Sequence, residues 1–278
     1  MPVIQDHQLF LLEGNTIKQG IAKSFYGQNA HVVLQEAQDY GDVITLPEFL
    51  QALYLSSFED SLTRIPFTVQ TEEIIGRSKA GNEVAIVVHG LGLLTSQRIH
   101  QRIRIEELTE GKVPDHGLTR TASGRGQFAL PLQDDEVYAL LDGYVVPVFS
   151  YSEFIGISRL PRDYAVVRDL DLQKEIPSGN YSLNLLQEIP RVIALAGGVD
   201  NLKPCLDLLA LHYGQEEIRY SHHLHDIDPR QPQGRFLEVH GTGDLFYGEM
   251  EMDGPARFLA VKRGDLEEKI DKAVTVEM

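Results

Sequence analysis

A chain of 278 residues that is 42% hydrophobic and 24% charged holds enough apolar material for a substantial core. It has no low-complexity tract and no fixed-period repeat, which excludes disordered, fibrous and solenoid classes and predicts a single domain over 1–278, with two lobes, 1–158 and 159–278, as the variant. An excess of 41 acidic over 25 basic residues gives a formal charge of −16, which repels phosphate backbones and anionic lipid and argues against nucleic acid or a membrane as partner.

The single cysteine, Cys205, excludes an internal disulfide framework, and the opening residues lack the basic start and apolar core of a secretory leader. No run approaches the roughly 20 apolar residues of a spanning helix. A cytoplasmic location is therefore expected.

In chain order, Leu9 to Leu12 and His31 to Leu34 are short apolar stretches on either side of a Gly14-Asn15 turn, and both read as strands. Thr45 followed by Pro47 and Glu48, with Phe49, Leu50, Leu53 and Tyr54 at helical spacing, predicts a capped helix. Phe67 to Ile75 and Glu83 to Val88 flank Gly81-Asn82, a pair that accepts positive φ, so a hairpin is expected near 67–88. Residues 96–108 fit helical and strand periods equally. From Gly111 to Gln127 the chain reads as a glycine-rich loop, and loops of that length are usually functional or disordered.

Asp134 to Leu141 predicts a helix, Tyr144 to Phe149 a strand placed at an edge by Pro147, and Tyr164 to Leu170 another strand. A helix pair is expected near 183–213, broken at Gly197-Gly198 and stopped by Gly214. A three-stranded meander near 235–262 and an exposed helix over 264–273 complete an α+β fold of mainly antiparallel strands.

Potential metal ligands crowd into Glu217 to Asp244, which holds four of the chain's ten histidines. In an extended backbone His223 and His225 share a face, and His240 on a nearby strand supplies a third imidazole. Glu238, two residues before His240, and Asp226 are the carboxylates placed to handle protons. Such a donor set suits zinc, iron, nickel or manganese. The spacing is not that of His-Glu-x-x-His, and an exposed polar loop with a turn before Pro229 accounts for the same residues.

The loop from Asp115 to Gly126 carries His116, Arg120, Ser123 and Arg125, a composition able to wrap an anionic group of a small-molecule substrate. His89-Gly90-Leu91-Gly92 after a strand has the look of an oxyanion loop, but no Gly-x-Ser-x-Gly elbow accompanies it, which favours a plain exit from the strand.

Three functions fit. The leading expectation is a metal-dependent enzyme of hydrolase or lyase type acting on a small polar or anionic substrate. The alternatives are a non-catalytic structural or assembly subunit forming a homo-oligomer, and a regulatory protein that binds a small anion.

Overall fold

The computed structural model describes residues 2–13, 16–56, 62, 65–101, 129–214, 216–220, 228–239 and 255–268. It begins with a long hairpin, β1 (Val3–Glu13) and β2 (Thr16–Gly27), paired from Val3↔Tyr26 to Glu13↔Thr16. Next comes α1 (Ala30–Tyr40), which replaces the strand expected at His31 to Leu34: Ala30, Val33, Leu34 and Ala37 are its buried residues, an i, i+3, i+4, i+7 stripe that a four-residue window hides. A two-residue strand, β3 (Asp42–Val43), leads into α2 (Leu46–Leu55), where the Thr45/Glu48 capping box forms as expected and the Thr45 N–H donates to Glu48 Oε2 at 3.0 Å.

The hairpin near 67–88 is β4 (Phe67–Arg77) with β5 (Glu83–His89), turned at Gly81 with φ 83°. The first ten residues of β4 are all buried, so this strand needs partners on both edges and cover on both faces. After α3 (96–101) come β6 (Leu130–Pro131), α4 (Asp134–Leu141), the short edge strand β7 (Val148–Ser150), α5 (Tyr151–Phe154) and β8 (Tyr164–Asp169).

The helix pair takes a different form from the one expected. Pro190 cannot donate to a continuing helix, so the first half divides into α6 (Leu183–Leu186) and α7 (Pro190–Leu195), while α8 (Val199–Tyr213) runs on to a left-handed Gly214. Two strands, β9 (Gly179–Ser182) and β10 (Glu217–Tyr220), pair with each other in a small separate sheet.

Two of the three meander segments are strands, β11 (Gln233–Val239) and β12 (Ala256–Val261), but they do not pair with each other. β11 runs antiparallel to β4, and β12 lies antiparallel to β2 with a single parallel bridge to β4. The third, Leu245 to Met252, lies outside the described residues. In place of the start of a C-terminal helix, Arg263–Asp265 is a 3₁₀ turn and β13 (Glu267–Glu268) pairs with Lys18 and Gln19 of β2.

The large sheet runs β1-β2-β12-β4-β5-β8-β7, with β11 off this path and paired to β4 and β6. Its pairings are antiparallel apart from β7 with β8 and the β12–β4 bridge, which bears out the α+β class. On one face Leu9, Phe67 and Val166 pack with Phe49 and Leu53 of α2 and with Val192, Leu202 and Leu206 of the later helices. On the other, Phe25, Ile74, Ile86, Phe236 and Phe258 pack with Val33 and Leu34 of α1 and Val137 and Leu140 of α4. No helix of the described residues is long and apolar enough to cross a membrane.

Candidate functional site: an arginine-floored cleft

Successive residues of a strand point to opposite faces, and β4 places two acids, Glu72 and Glu73, back to back in the middle of the molecule. Each needs compensation, because an isolated buried carboxylate is very costly. The two solutions differ.

Glu73 is met by arginine. Pro190 is tolerated in the first turn of α7, where its missing N–H costs nothing, and the next residue, Arg191, is directed inward with a side chain 2% exposed. Arg191 donates from Nε to Glu73 Oε1 at 2.6 Å and from Nη2 to Oε2 at 2.8 Å, while Nη1 donates to the Tyr220 hydroxyl at 2.8 Å. Burial alone would raise the Glu73 pKa, but the charge and hydrogen bonds of Arg191, with Arg235 and Arg168 nearby, hold it down at about 2.

Among the described residues Glu72 has no such partner at contact distance. Its carboxylate accepts N–H bonds from Leu93 at 2.9 Å and Leu94 at 3.0 Å, and a Cβ on Gly92 would stand 2.4 Å from it, so the glycine lets the loop close over the acid. Burial dominates, and the pKa rises to about 7 despite those bonds and the more distant Arg98.

Beside the Glu73 cluster a cleft of about 760 Å³ opens, bounded by α5, the end of β8 and the chain through α6 to the start of α7. That falls in the roughly 300–1,000 Å³ range of ligand pockets. Its apolar wall is Ile176, Leu185 and Ile189, and its polar wall includes Ser152, Arg168 and Arg191. Arg168, on β8, donates from Nη1 to Glu175, and both of these side chains are 9% exposed. The remaining edge of the Arg168 guanidinium, Nε and Nη2, is buried and meets no acceptor among the described residues. Tyr151, also on the cleft, has its phenol pKa raised by burial, with the Arg168 charge pulling the other way.

Guanidinium groups stay charged at any working pH and give up no proton, and the described residues that line the cleft include carboxylates, a lysine and a tyrosine but neither histidine nor cysteine. The Ser150 hydroxyl, which sits on the cleft, is engaged in capping α5, donating to Glu153 Oε2 at 2.7 Å and accepting from the Glu153 N–H at 3.3 Å.

His89, the other group singled out in the sequence, belongs to the frame. The Leu46 N–H donates to Thr71 Oγ1 (2.9 Å), the Thr71 hydroxyl to His89 Nδ1 (3.1 Å), and His89 Nε2 to the Ala194 carbonyl (3.0 Å), a chain that pins α2, β4, β5 and α7 together. Burial lowers the imidazole pKa to about 4. Gly90, at φ 80°, carries the strand out of the sheet where a Cβ would strike Asp163. Cys205 is buried in the core, and burial pushes its thiol pKa up.

His223, His225, His240 and Asp226 lie outside the described residues, as do His116, Arg120, Ser123 and Arg125. Glu238 is on β11, opposite Thr68 of β4 and half-buried. The strand leading toward His223 is β10, which belongs to the small sheet, whereas β11 belongs to the large one, so the two segments required to lie side by side start from different sheets. Among the described residues no three histidine, cysteine, aspartate or glutamate side chains gather as metal ligands. Sequence reasoning passed over Glu73, Arg168 and Arg191; the signal available was a Glu-Glu pair within β4 and an arginine directly after the apolar run of β8.

No family model matches the chain, and no curated protein is similar to it. Among solved structures, one described as "Accommodation of massive sequence variation in Nanoarchaeota by the C-type lectin fold" is 26% identical, with a TM-score of 0.62, covering 87% of this chain and 97% of that one. This likeness overturns the expectation of a metal-dependent hydrolase or lyase, because the matching chain is described by a fold that accommodates variation in sequence and not by a reaction. It favours the non-catalytic alternatives.

Proposed function

We propose that this protein is a non-catalytic binding protein, folded as one domain of C-type lectin type, that holds a small molecule or a short segment of a partner in the cleft floored by Arg168 and Arg191. The observation that carries the reading is the lining: fixed guanidinium groups against an apolar wall of Ile176, Leu185 and Ile189, with no imidazole or thiol among the described residues that form it. Such a surface orients a polar group and buries an organic body, which is recognition chemistry. The neighbouring structure supports it, being described by a fold that accommodates massive sequence variation and not by a reaction.

The test is a thermal-shift screen of small polar and anionic compounds on the wild-type chain and on Leu185→Trp, which fills the cleft mouth from a position 41% exposed. A ligand at about 100 times its Kd stabilises the folded state by roughly 2.7 kcal/mol. Compounds that stabilise the wild type and leave Leu185→Trp unmoved support the reading; stabilisation that survives the substitution contradicts it.

A second reading, association of like chains, is favoured by one feature. β1 ends the large sheet, and Val3, Ile4 and Ile21 on its hairpin are 59%, 50% and 51% exposed, which presents a long strand edge beside apolar side chains.

A further inference from the structure

We propose that His31 and His100 form a two-imidazole zinc site that clamps α1 to α3, independently of the cleft. The rings come from two helices that the core holds together. Val33 and Leu34 of α1 and Ile99 of α3 are buried in one apolar cluster, which fixes both backbones. Contacts between the helices repeat one turn apart on each: the Ser96 hydroxyl donates to Gln35 Oε1 at 2.6 Å, and His100 Nδ1 lies 3.2 Å from His31 Nε2 in a hydrogen bond between the rings. His100 is exposed and His31 half-buried, so the pair lies within reach of an ion in solution.

The spacing selects the ion. Zinc holds imidazole nitrogens at about 2.0–2.1 Å in a tetrahedron, which sets two of them roughly 3.3–3.4 Å apart. Ligands at right angles, as in square-planar copper(II) or nickel(II), would stand roughly 2.8–3.0 Å apart at the same bond length. The observed 3.2 Å is nearer the tetrahedral value. As a purely structural device the pair has little to recommend it, since a hydrogen bond between neutral rings in contact with water adds little and turns to repulsion when both are protonated.

A neutral imidazole carries one N–H and one bare nitrogen, so one ring now donates to the other. On binding, the donor ring's proton moves to its other nitrogen, both facing nitrogens become ligands, and rotation of the rings turns their lone pairs to the ion. No net proton is lost. Among the described residues no third histidine, cysteine, aspartate or glutamate completes the set, and water takes the remaining positions.

The test titrates zinc chloride into the untagged full chain while the histidine ring nitrogens are followed by NMR. The expected result is a saturable shift of His31 at Nε2 and of His100 at Nδ1, with one midpoint for both. Because the two nitrogens act as one chelate, His31→Ala should weaken zinc binding at His100 roughly a hundredfold, and His100→Ala should do the same at His31. Should either variant fail to fold, the nitrogens that shift in the wild type decide alone. A remaining ring that titrates in the single variants as it does in the wild type would make the two independent surface imidazoles and overturn the proposal. Shifts at His31 Nδ1 and His100 Nε2 instead, or rings that zinc does not move, overturn it as well.

Discussion

Glu72 and His89 are both buried on neighbouring strands and their titrations pull stability in opposite directions. Between pH 4.5 and 6.5 the folded Glu72, with its pKa raised to about 7, keeps a proton that the unfolded chain has released, so its contribution is full below 4.5 and drains as pH rises. Over the same interval the folded His89, lowered to about 4, lacks a proton that the unfolded imidazole holds, so its contribution grows as pH rises and is lost as pH falls. Each slope is about 1.4 kcal/mol per pH unit, and in the wild type they cancel. Denaturant unfolding at several pH values should therefore show stability rising with pH in Glu72→Gln and falling with pH in His89→Gln. Slopes of the same sign in the two variants would refute the assignment.

Glu73 works in a lower window. Its pKa is held at about 2 against an ordinary 4.5, so its stabilisation is present above pH 4.5 and is lost as pH falls through 2. Replacing it with glutamine strands the buried Arg191 guanidinium and should cost about 3–5 kcal/mol at neutral pH, read as a drop in the urea midpoint, while removing that acid-side loss. An unchanged midpoint would mean that the pair contributes nothing. At this scale the sequence was least legible. The pairing of Glu73 with Arg191 joins residues 118 apart, and no local pattern reports it.

Elements were legible wherever the signal was local. The Thr45-x-x-Glu48 box starts α2 because both halves of the cap lie within one turn, and Thr45→Ala should cost about 1 kcal/mol in unfolding experiments. No measurable loss would show the cap to be incidental. Gly81-Asn82 turned the 67–88 hairpin as read, and Asp134 to Leu141 formed its helix. The failures share a cause. His31 to Leu34 looked like a strand because the window stopped before Ala37, and the 183–196 stretch looked like one helix because Pro190 was weighed less than the apolar face around it. Strand partners were illegible for a further reason: β11 and β12 have the composition of a meander, but which edge of the sheet each joins is set by the long-range packing around β4.

At the scale of the whole molecule, the sheet puts the Glu73–Arg191 cluster at its centre and leaves two outlets, the cleft near its β8 side and the exposed β1 edge. If the edge serves association, light scattering on the wild type should give a mass above that of one chain, and Ile4→Asp with Ile21→Asp should return it to one. A wild type that is monomeric at high concentration removes the second reading and leaves the cleft untouched. The functional expectation went astray at this scale because histidine spacing was asked to stand for convergence in space, whereas the cleft is assembled from residues scattered between 150 and 191, none of which forms a motif.

The most direct test of the cleft is isothermal calorimetry of the best ligand from the screen against the wild type and Leu185→Trp, followed by mass spectrometry of the recovered ligand. The account predicts one saturable site per chain, lost in Leu185→Trp, and a ligand returned chemically unchanged. Undiminished binding to Leu185→Trp, or a ligand converted to product by the wild type alone, would contradict it.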